Sequence, residues 1–209
     1  MPDIILRLYS DADFAGCKVT AKSTTGAFLR LSGPHTSFPL EALSKKQGCV
    51  STSTPEAETV AANAAVRTMG LPALDLWEAI KGSKMPMDFL EDNTAAIRIL
   101  TTGKSPALRH LDRTHRVSLA WLHETFQHQH LTLKYINSEK EAADIFTKPF
   151  TDADKWKHAI HLINHVYPVD IKSLENCKRI VGVQPSNALV LPPIPISDNV
   201  KKTKITKQT

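Results

Sequence analysis

The stretch Ser53–Ala62, Ser-Thr-Pro-Glu-Ala-Glu-Thr-Val-Ala-Ala, predicts the start of a helix that packs on a sheet. Thr54 can act as the N-cap, followed by a proline at the first helical position, where a missing N–H is tolerated. The serine before it and Glu56 also have capping-box spacing. Small apolar residues recur at helical spacing as a narrow stripe: Ala57, Val60, Ala61 and Ala64. Glu58 lies beside this stripe, and it needs a partner because an unpaired buried carboxylate is very costly.

The chain has the size and composition of a globular protein with one core. Its 209 residues leave room for one domain of about 150 residues and further segments. Apolar residues make up 42%, and no apolar run approaches the roughly 18 residues that span a bilayer, so we expect no membrane partner. Three distant cysteines and no secretory signal predict an intracellular protein with reduced thiols, in a cytoplasmic particle or the nucleus. A net charge of +5 permits a polyanionic partner.

The predicted elements run strand, strand, strand, helix, and then alternate between helices and strands. The strands are predicted at residues 4–10, 26–32, 45–51, 87–90 and 131–136. Further helices are predicted at residues 74–80, 94–100, 117–128, 139–146 and 151–166. This order predicts an α/β sheet with parallel and antiparallel pairs, covered by helices. We expect a domain over residues 1–150, a C-terminal helix over residues 151–167, and a linker and largely disordered tail over residues 168–209.

Carboxylates recur where the predicted strands end and the helices begin. In such sheets ligands gather at these ends, so four acids from separate segments can converge there: Asp11, Glu58, Asp92 and Asp144. Mg²⁺ and Mn²⁺ prefer oxygen ligands, and two ions about 3.5 to 4 Å apart can flank a phosphodiester. Spacing alone does not select these four from the 21 acidic residues.

Seven short motifs follow one another along the chain. They are Tyr-Ser-Asp-Ala-Asp-Phe-Ala-Gly at 9–16, Ser-Thr-Thr-Gly at 23–26, Ser-Lys-Lys-Gln at 44–47, Ser-Thr-Pro-Glu-Ala-Glu at 53–58, Glu-Asp-Asn at 91–93, Arg-His-Leu-Asp at 109–112 and Ala-Asp-Ile-Phe-Thr-Lys-Pro at 143–149. Together, over about residues 8–150, they resemble the ribonuclease H domain of copia-type retrotransposon Pol polyproteins.

This resemblance implies a ribonuclease H-like mixed five-stranded sheet flanked by helices. It also implies hydrolysis of the RNA strand of an RNA–DNA hybrid by two divalent ions, Mg²⁺ or Mn²⁺. The family's catalytic and metal-binding acids correspond to Asp11, Glu58, Asp92 and Asp144. Its partners would be the hybrid and a reverse transcriptase domain in the parent polyprotein.

The first two acids each have an alternative nearby. Asp13 shares a strand face with Asp11, and only the motif favours Asp11. Glu56 falls in the first helical turn, where an acid favours the positive end of the helix, so we interpret it as a cap. Glu58 lies deeper in the helix and is the predicted ligand.

The other two acids are less distinct from their neighbours. Strand alternation sends Glu91 and Asp92 to opposite faces, which predicts that one of them is exposed. Asp144 is distinguished only by its motif from an ordinary helix-surface acid such as Glu141. No histidine lies between residues 131 and 144, so the mobile catalytic histidine of many cellular ribonucleases H has no candidate here.

A second group of residues is predicted to contact the sugar–phosphate backbone, which positions a duplex without reading its sequence. These residues are Ser23, Thr24, Lys45, Lys46, Gln47, Asn93, Arg109, His110 and Arg113. Residues 109–116, hereafter the basic loop, are dense in cations, although a salt-bridged loop is nearly as good an interpretation. A lysine pair is usually a solvated edge. His158, His161 and His165 share a helical face, which we interpret as polar surface rather than a zinc site.

Three functions follow from these observations. The first is a metal-dependent endonuclease that uses the four acids, and the second is a catalytically inactive hybrid-binding remnant of a retroelement. The third is a transposase or integrase domain, which shares the fold and an acid cluster. The Ser-Thr-Pro-Glu-Ala-Glu helix directly after the third predicted strand argues against this third function.

Overall fold

The structure, a computed structural model, describes residues 4–165. The predicted linker and tail after residue 167 and the thiol of Cys177 lie outside the described residues. None of the helices within residues 4–165 has the length and apolar character needed to cross a bilayer.

A five-stranded sheet in the order β3-β2-β1-β4-β5 forms the centre of the fold. The strands are β1 (Ile5–Asp13), β2 (Thr24–Gly33), β3 (Thr36–Lys46), β4 (Met87–Glu91) and β5 (Leu131–Tyr135). The pairs β1–β2 and β2–β3 are antiparallel, whereas β1–β4 and β4–β5 are parallel. Because β1 and β4 run in parallel, their carboxyl ends meet at one edge of the sheet.

Within residues 4–165, six α-helices accompany the sheet. They are α1 (Thr54–Ala65), α2 (Leu71–Lys81), α3 (Thr94–Thr102), α4 (Leu111–Thr114), α5 (Leu119–Phe126) and α6 (Ala153–Leu162). A π-helical turn at Val66–Gly70 joins α1 to α2, and 3₁₀ turns lie at Pro106–Leu108, Ser138–Lys140 and Asp144–Phe146. The predicted fold, a mixed five-stranded sheet flanked by helices, is confirmed.

Helix α1 begins one residue earlier than predicted. Its N-cap is Ser53, whose hydroxyl accepts a hydrogen bond from the backbone N–H of Glu56 at 3.3 Å. The predicted N-cap, Thr54, is the first helical residue. Four alanines form the buried face: Ala57, Ala61, Ala62 and Ala65. Val60 and Ala64 lie only at its margin. Since these side chains are small, the helix packs closely on β1 and β2.

The third strand is not at residues 45–51, where it was predicted, but at Thr36–Lys46. It pairs with β2 directly after the turn at Gly33. Phe38, Leu40 and Ala42 do alternate along this strand, but a proline within such a run counts against predicting a strand. The strand lies at the edge of the sheet and is exposed along most of its length. A bulge opposite Leu29 and Arg30 accommodates Pro39, which cannot donate a ladder hydrogen bond.

The helix predicted at residues 139–146 is replaced by two 3₁₀ turns separated by residues 141–143. Asn137 caps the first turn by accepting a hydrogen bond from the backbone N–H of Glu139 at 2.9 Å. Glu141 then adopts φ −74° and ψ 103°, which interrupts the helical path. Its buried carboxylate accepts a hydrogen bond from the backbone N–H of Ala143 at 2.9 Å. Such local side-chain bonds compete with a continuous helix.

Apolar side chains pack on both faces of the sheet. Leu8 belongs to the main core, in which Phe89 meets Phe126 edge-to-face at 5.1 Å. The adjacent Tyr9 points to the other face and packs with Phe28 and residues of the 142–146 segment. Helix α6 joins this second face, since the guanidinium of Arg30 donates a hydrogen bond to the carbonyl of Leu162. The predicted boundary at residue 150 stays a prediction.

Gly26 allows the 143–147 segment to lie against β2. A Cβ atom at this position would lie 2.5 Å from Cγ2 of Thr147 and 2.9 Å from the carbonyl oxygen of Ala143. Gly26 is also the strand partner of Asp11. The Ser-Thr-Thr-Gly motif therefore ends in a residue that a close approach requires.

We expect Gly26→Ala to destabilise the protein by about 1 to 3 kcal/mol, because the added methyl group must displace a backbone carbonyl. Urea unfolding measures the change. Gly48→Ala is the matched control, because a Cβ there has no atom within 4 Å. Equal stabilities of the two variants would contradict the expectation.

Candidate active site

Three carboxylates from separate elements meet at the carboxyl ends of β1 and β4. Asp11 lies on β1, Glu58 on α1, and Asp92 directly after β4. One oxygen from each lies within 4.8 Å of the others, which is close enough to share a metal ion. Asp11 and Glu58 are buried, whereas Asp92 is half-buried. These three residues are hereafter the acid cluster, and they line an open pocket of about 400 Å³.

The carboxylate of Asp11 is held by two residues at the end of the segment that packs against Gly26. The hydroxyl of Thr147 donates a hydrogen bond to its Oδ2, and the ammonium of Lys148 lies 3.1 Å from its Oδ1. Both partners come from the Ala-Asp-Ile-Phe-Thr-Lys motif. Sequence reasoning assigned them no role, although the motif itself was the available signal.

Glu58 carries the least compensated charge of the cluster. Its Oε2 is buried and has no hydrogen-bond partner among residues 4–165. Burial, together with the charges of Glu91, Asp11 and Asp92, raises the pKa of Glu58 to about 10. A carboxylate in this environment favours either a proton or a cation.

Asp92 is oriented by the hydroxyl of Ser138, which donates a hydrogen bond to its Oδ2 at 2.6 Å. The next residue, Asn93, is the N-cap of α3, and its Oδ1 accepts from two backbone N–H groups at 3.0 Å. Asn93 also lines the pocket. The predicted nucleic-acid contact at Asn93 is thus placed beside the acid cluster, with its carbonyl oxygen already engaged.

The prediction that either Glu91 or Asp92 is exposed is wrong. Glu91 is fully buried, and it accepts hydrogen bonds from the hydroxyl of Ser10 at 3.0 Å and the backbone N–H of Asn93 at 3.2 Å. Burial raises the pKa of Glu91 well above its ordinary value. The alternation argument failed because β4 is buried on both faces.

Asp144 stands apart from the three acids of the cluster. Its Oδ1 lies 2.6 Å from the ammonium of Lys148, which also contacts Asp11 and so bridges the two carboxylates. Burial raises the pKa of Asp144 to about 6, against the lowering effect of its hydrogen bond from Lys148. Three of the four predicted acids therefore meet directly, and the fourth joins them through a lysine.

Glu141 is not the surface acid that we expected. Its side chain is buried, and its Oε2 has no hydrogen-bond partner among the described residues. Burial raises the pKa of Glu141, and the charges of Glu91, Asp11 and Asp92 act in the same direction. Nothing in its spacing distinguished it from the exposed Glu139.

The two alternative acids lie outside the acid cluster. Asp13 lines the same pocket but belongs to no group of three ligands among residues 4–165. Glu56 is buried in the first turn of α1. Although burial acts to raise the pKa of Glu56, hydrogen bonds from Thr52 and His110 lower it below its ordinary value.

Two residues predicted to contact nucleic acid, Ser23 and Gln47, have buried side chains. The hydroxyl of Ser23 accepts a hydrogen bond from the backbone N–H of Ala15 at 3.1 Å. The amide of Gln47 donates to the hydroxyl of Thr25 at 3.1 Å and to the carbonyl of Ala57 at 2.9 Å. Both side chains are thus engaged within the fold, and Gln47 also lines a pocket with Lys45 and Lys46. Their contact with a nucleic acid stays a prediction.

The other predicted contacts are at least partly accessible. Lys45, Lys46, Arg109 and Arg113 are exposed, whereas Thr24 and His110 are half-buried. The helical histidines at 158, 161 and 165 form no group of metal ligands within residues 4–165.

The sequence is similar to that of a known retrotransposon protein. Over 146 residues, 70% of its length, the chain is 30% identical to the Retrovirus-related Pol polyprotein from transposon TNT 1-94 of Nicotiana tabacum. The chain is related to a retrotransposon Pol polyprotein. It spans about a tenth of the length of that relative. No family model matches the chain.

Solved ribonuclease H structures share features of the fold. An RNase H1 isolated from compost covers 70% of this chain and 94% of its own, at 18% identity and a TM-score of 0.42. The N-terminal RNase H domain of a Mycobacterium tuberculosis protein covers 76% and 97%, at 15% identity and a TM-score of 0.43. Since both TM-scores are below 0.5, the assignment of a ribonuclease H-like fold rests on the strand order and register.

We expect Glu58→Gln to stabilise the metal-free protein at pH 8 by about 1 to 3 kcal/mol, and by less at pH 5. The folded-state pKa of Glu58, about 10, lies above its ordinary value of 4.5. The contribution of Glu58 to stability is therefore complete below pH 4.5 and is lost as the pH rises toward 10. Glutamine does not titrate, so the variant lacks this loss.

Urea unfolding at pH 5 and pH 8, in the presence of a chelator, measures both proteins. Glu41→Gln on the exposed β3 strand is the control and should follow the parent. The same pH dependence in the parent and in Glu58→Gln would contradict the assignment of the shift to Glu58.

Proposed function

We propose that this chain is a metal-dependent endonuclease that hydrolyses the RNA strand of RNA–DNA hybrids, as the ribonuclease H segment of a copia-type Pol polyprotein. One observation carries the proposal. Carboxylates from three separate elements meet in an open pocket, and one of them has a buried oxygen without a hydrogen-bond partner among the described residues. The relation to a retrotransposon Pol polyprotein supports the choice of substrate.

The acid cluster has the donor set that a hard cation prefers. Asp11, Glu58 and Asp92 offer only carboxylate oxygens, which suit Mg²⁺ or Mn²⁺. A cation would also compensate the buried charge of Glu58. Asp144 would contribute to a second site. When bound, two such ions lower the pKa of an attacking water and stabilise negative charge on the leaving oxygen.

The chain's own residues prepare the pocket for this chemistry. Thr147 and Ser138 fix the carboxylates of Asp11 and Asp92 by hydrogen bonds. Because these bonds are made within the folded chain, little reorganisation is needed when substrate arrives. Lys148 provides positive charge between Asp11 and Asp144, near the place where a phosphate would enter.

Exposed cations outside the pocket would bind the sugar–phosphate backbone. Lys45 and Lys46 end β3, and Arg109 and Arg113 belong to the basic loop. Phosphate contacts of this kind give affinity that depends on salt rather than on sequence. Other segments of the polyprotein, including a reverse transcriptase domain, would add binding surface.

A second candidate function is a hybrid-binding remnant without catalysis. The observation in its favour is the ion pair between Asp144 and Lys148, which occupies the fourth predicted acid. Cleavage and binding assays separate the two candidates, since a remnant would bind the hybrid and leave it intact.

Asp92→Asn tests the nuclease directly. We expect at least about a 100-fold loss of cleavage of a labelled RNA–DNA hybrid in Mg²⁺, because the cluster loses a charged ligand. Binding of the hybrid should persist. Asp75→Asn, on the exposed surface of α2, is the control. Equal cutting by the parent and Asp92→Asn would refute the assigned site.

Lys148→Met should increase the affinity of the pocket for Mg²⁺ about 10-fold, because the variant removes a positive charge that competes for Asp11 and Asp144. Isothermal titration calorimetry measures this affinity without substrate. Lys18→Met, in an exposed loop, serves as the control. An unchanged or weaker affinity in Lys148→Met would show that the lysine does not compete with the cation.

A further inference from the structure

Glu56 is a fully buried carboxylate outside the acid cluster. Its Oε2 accepts hydrogen bonds from the backbone N–H of Thr52 at 2.8 Å and from the Thr52 hydroxyl at 2.5 Å. Its Oε1 is hydrogen-bonded to Nε2 of His110 at 3.0 Å. It also lies 3.4 Å from the buried Nε2 of His115, which has no hydrogen-bond partner among the described residues. Glu56, His110 and His115 are hereafter the Glu56 clamp. Because a buried carboxylate needs such partners, the clamp joins the start of α1 to the basic loop.

The basic loop is docked on the segment that leads into α1. The His115 side chain is only 2% exposed, and Leu111 and Val117 are buried beside it. A second link is made by the thiol of Cys49, which donates a hydrogen bond to the carbonyl of Thr114 at 2.9 Å. The inward side chains therefore fix the loop backbone.

The arginines of the same loop remain accessible. Arg109, Arg113 and Arg116 are all exposed. Arg116 has φ +57°, a left-handed backbone conformation that is uncommon for arginine and that the packed neighbours maintain. The loop thus combines a fixed backbone with outward cations.

Docking also places the loop beside the end of β3. Lys45 and Lys46 line a pocket of about 240 Å³ together with His115 and Val117. Cations from two segments that are far apart in sequence are therefore collected in one region. Such a region suits a polyanionic backbone.

Helix α1 connects this region to the acid cluster. Glu56 and Glu58 are two residues apart on a helix with 3.6 residues per turn, so their side chains point in nearly opposite directions. Glu58 reaches the acid cluster, and Glu56 reaches the basic loop. One helical turn thus fixes the distance between the cluster and the arginines.

We propose that Glu56 is a positioning residue that holds the basic loop where its arginines bind the sugar–phosphate backbone of the hybrid. This inference rests on the proposed function. The carboxylate of Glu56 contacts Thr52, His110 and His115 and none of the acid cluster, so we expect it to act through the two histidines. Its loss should weaken hybrid binding while the acid cluster stays intact.

The test measures hybrid binding in the Asp92→Asn background, in which no cutting interferes. Adding Glu56→Gln should weaken binding about 5- to 10-fold and lower the slope of log affinity against log salt by about 1. Glu124→Gln, exposed on α5, is the matched control and should change neither quantity. In the otherwise unchanged chain, Glu56→Gln should raise KM for the hybrid and leave kcat within about 3-fold.

A double-mutant cycle separates positioning from a general loss of structure. If Glu56 acts through the loop, the effects of Glu56→Gln and Arg113→Gln should be less than additive. His115→Gln gives a second way to open the clamp, because this buried side chain cannot itself reach the duplex. Circular dichroism verifies that each variant is folded.

Equal affinity and equal salt dependence with and without Glu56→Gln would overturn the proposal, as would strictly additive effects in the cycle. A fall in kcat at constant KM would also overturn it, since that result would place Glu56 in the chemistry instead. Absence of hybrid binding by Asp92→Asn alone would refute the proposed function itself, a result distinct from the others.

Discussion

The burial of several carboxylates beside one another is the constraint on which the rest of this structure depends. Asp11, Glu58 and Glu91 are all buried at one edge of the sheet, and Lys148 is the cation placed among the neighbouring acids. Burial is the main cause of the raised pKa of Glu58, about 10, and the nearby charges of Glu91, Asp11 and Asp92 raise it as well. The cluster therefore lowers the free energy of unfolding, as is common at sites that bind cations.

Close approach on both faces of the sheet creates this concentration of charge. On one face, the alanines of α1 allow the helix to lie near β1, so that Glu58 reaches Asp11. On the other face, the absence of a side chain at Gly26 lets the segment that carries Thr147 and Lys148 pack against β2. Larger side chains at these contacts would separate the acids and weaken their shared attraction for a cation. Packing and electrostatics are therefore coupled at this site.

Prediction from sequence succeeded where a local pattern carried the information. The buried strands β1 and β4 and the capped helix α1 have clear apolar or capping signals. It failed for β3, because Pro39 lies within the alternating run of Phe38, Leu40 and Ala42 and counts against a strand, and at residues 139–146, where the buried Glu141 interrupts the helix. The burial of Ser23 and Gln47 was not predicted, because burial of a polar side chain cannot be read from its motif.

The sequence by itself determined the order of the elements and the acids that mark their ends, because caps, strand periodicity and short motifs are local properties. The tertiary structure alone decided that Asp11, Glu58 and Asp92 meet directly while Lys148 separates Asp144 from them. It also decided that Glu56 holds a loop more than 50 residues away along the chain. These relations depend on distances between remote segments and on burial, which are set only when the sheet and its helices pack together.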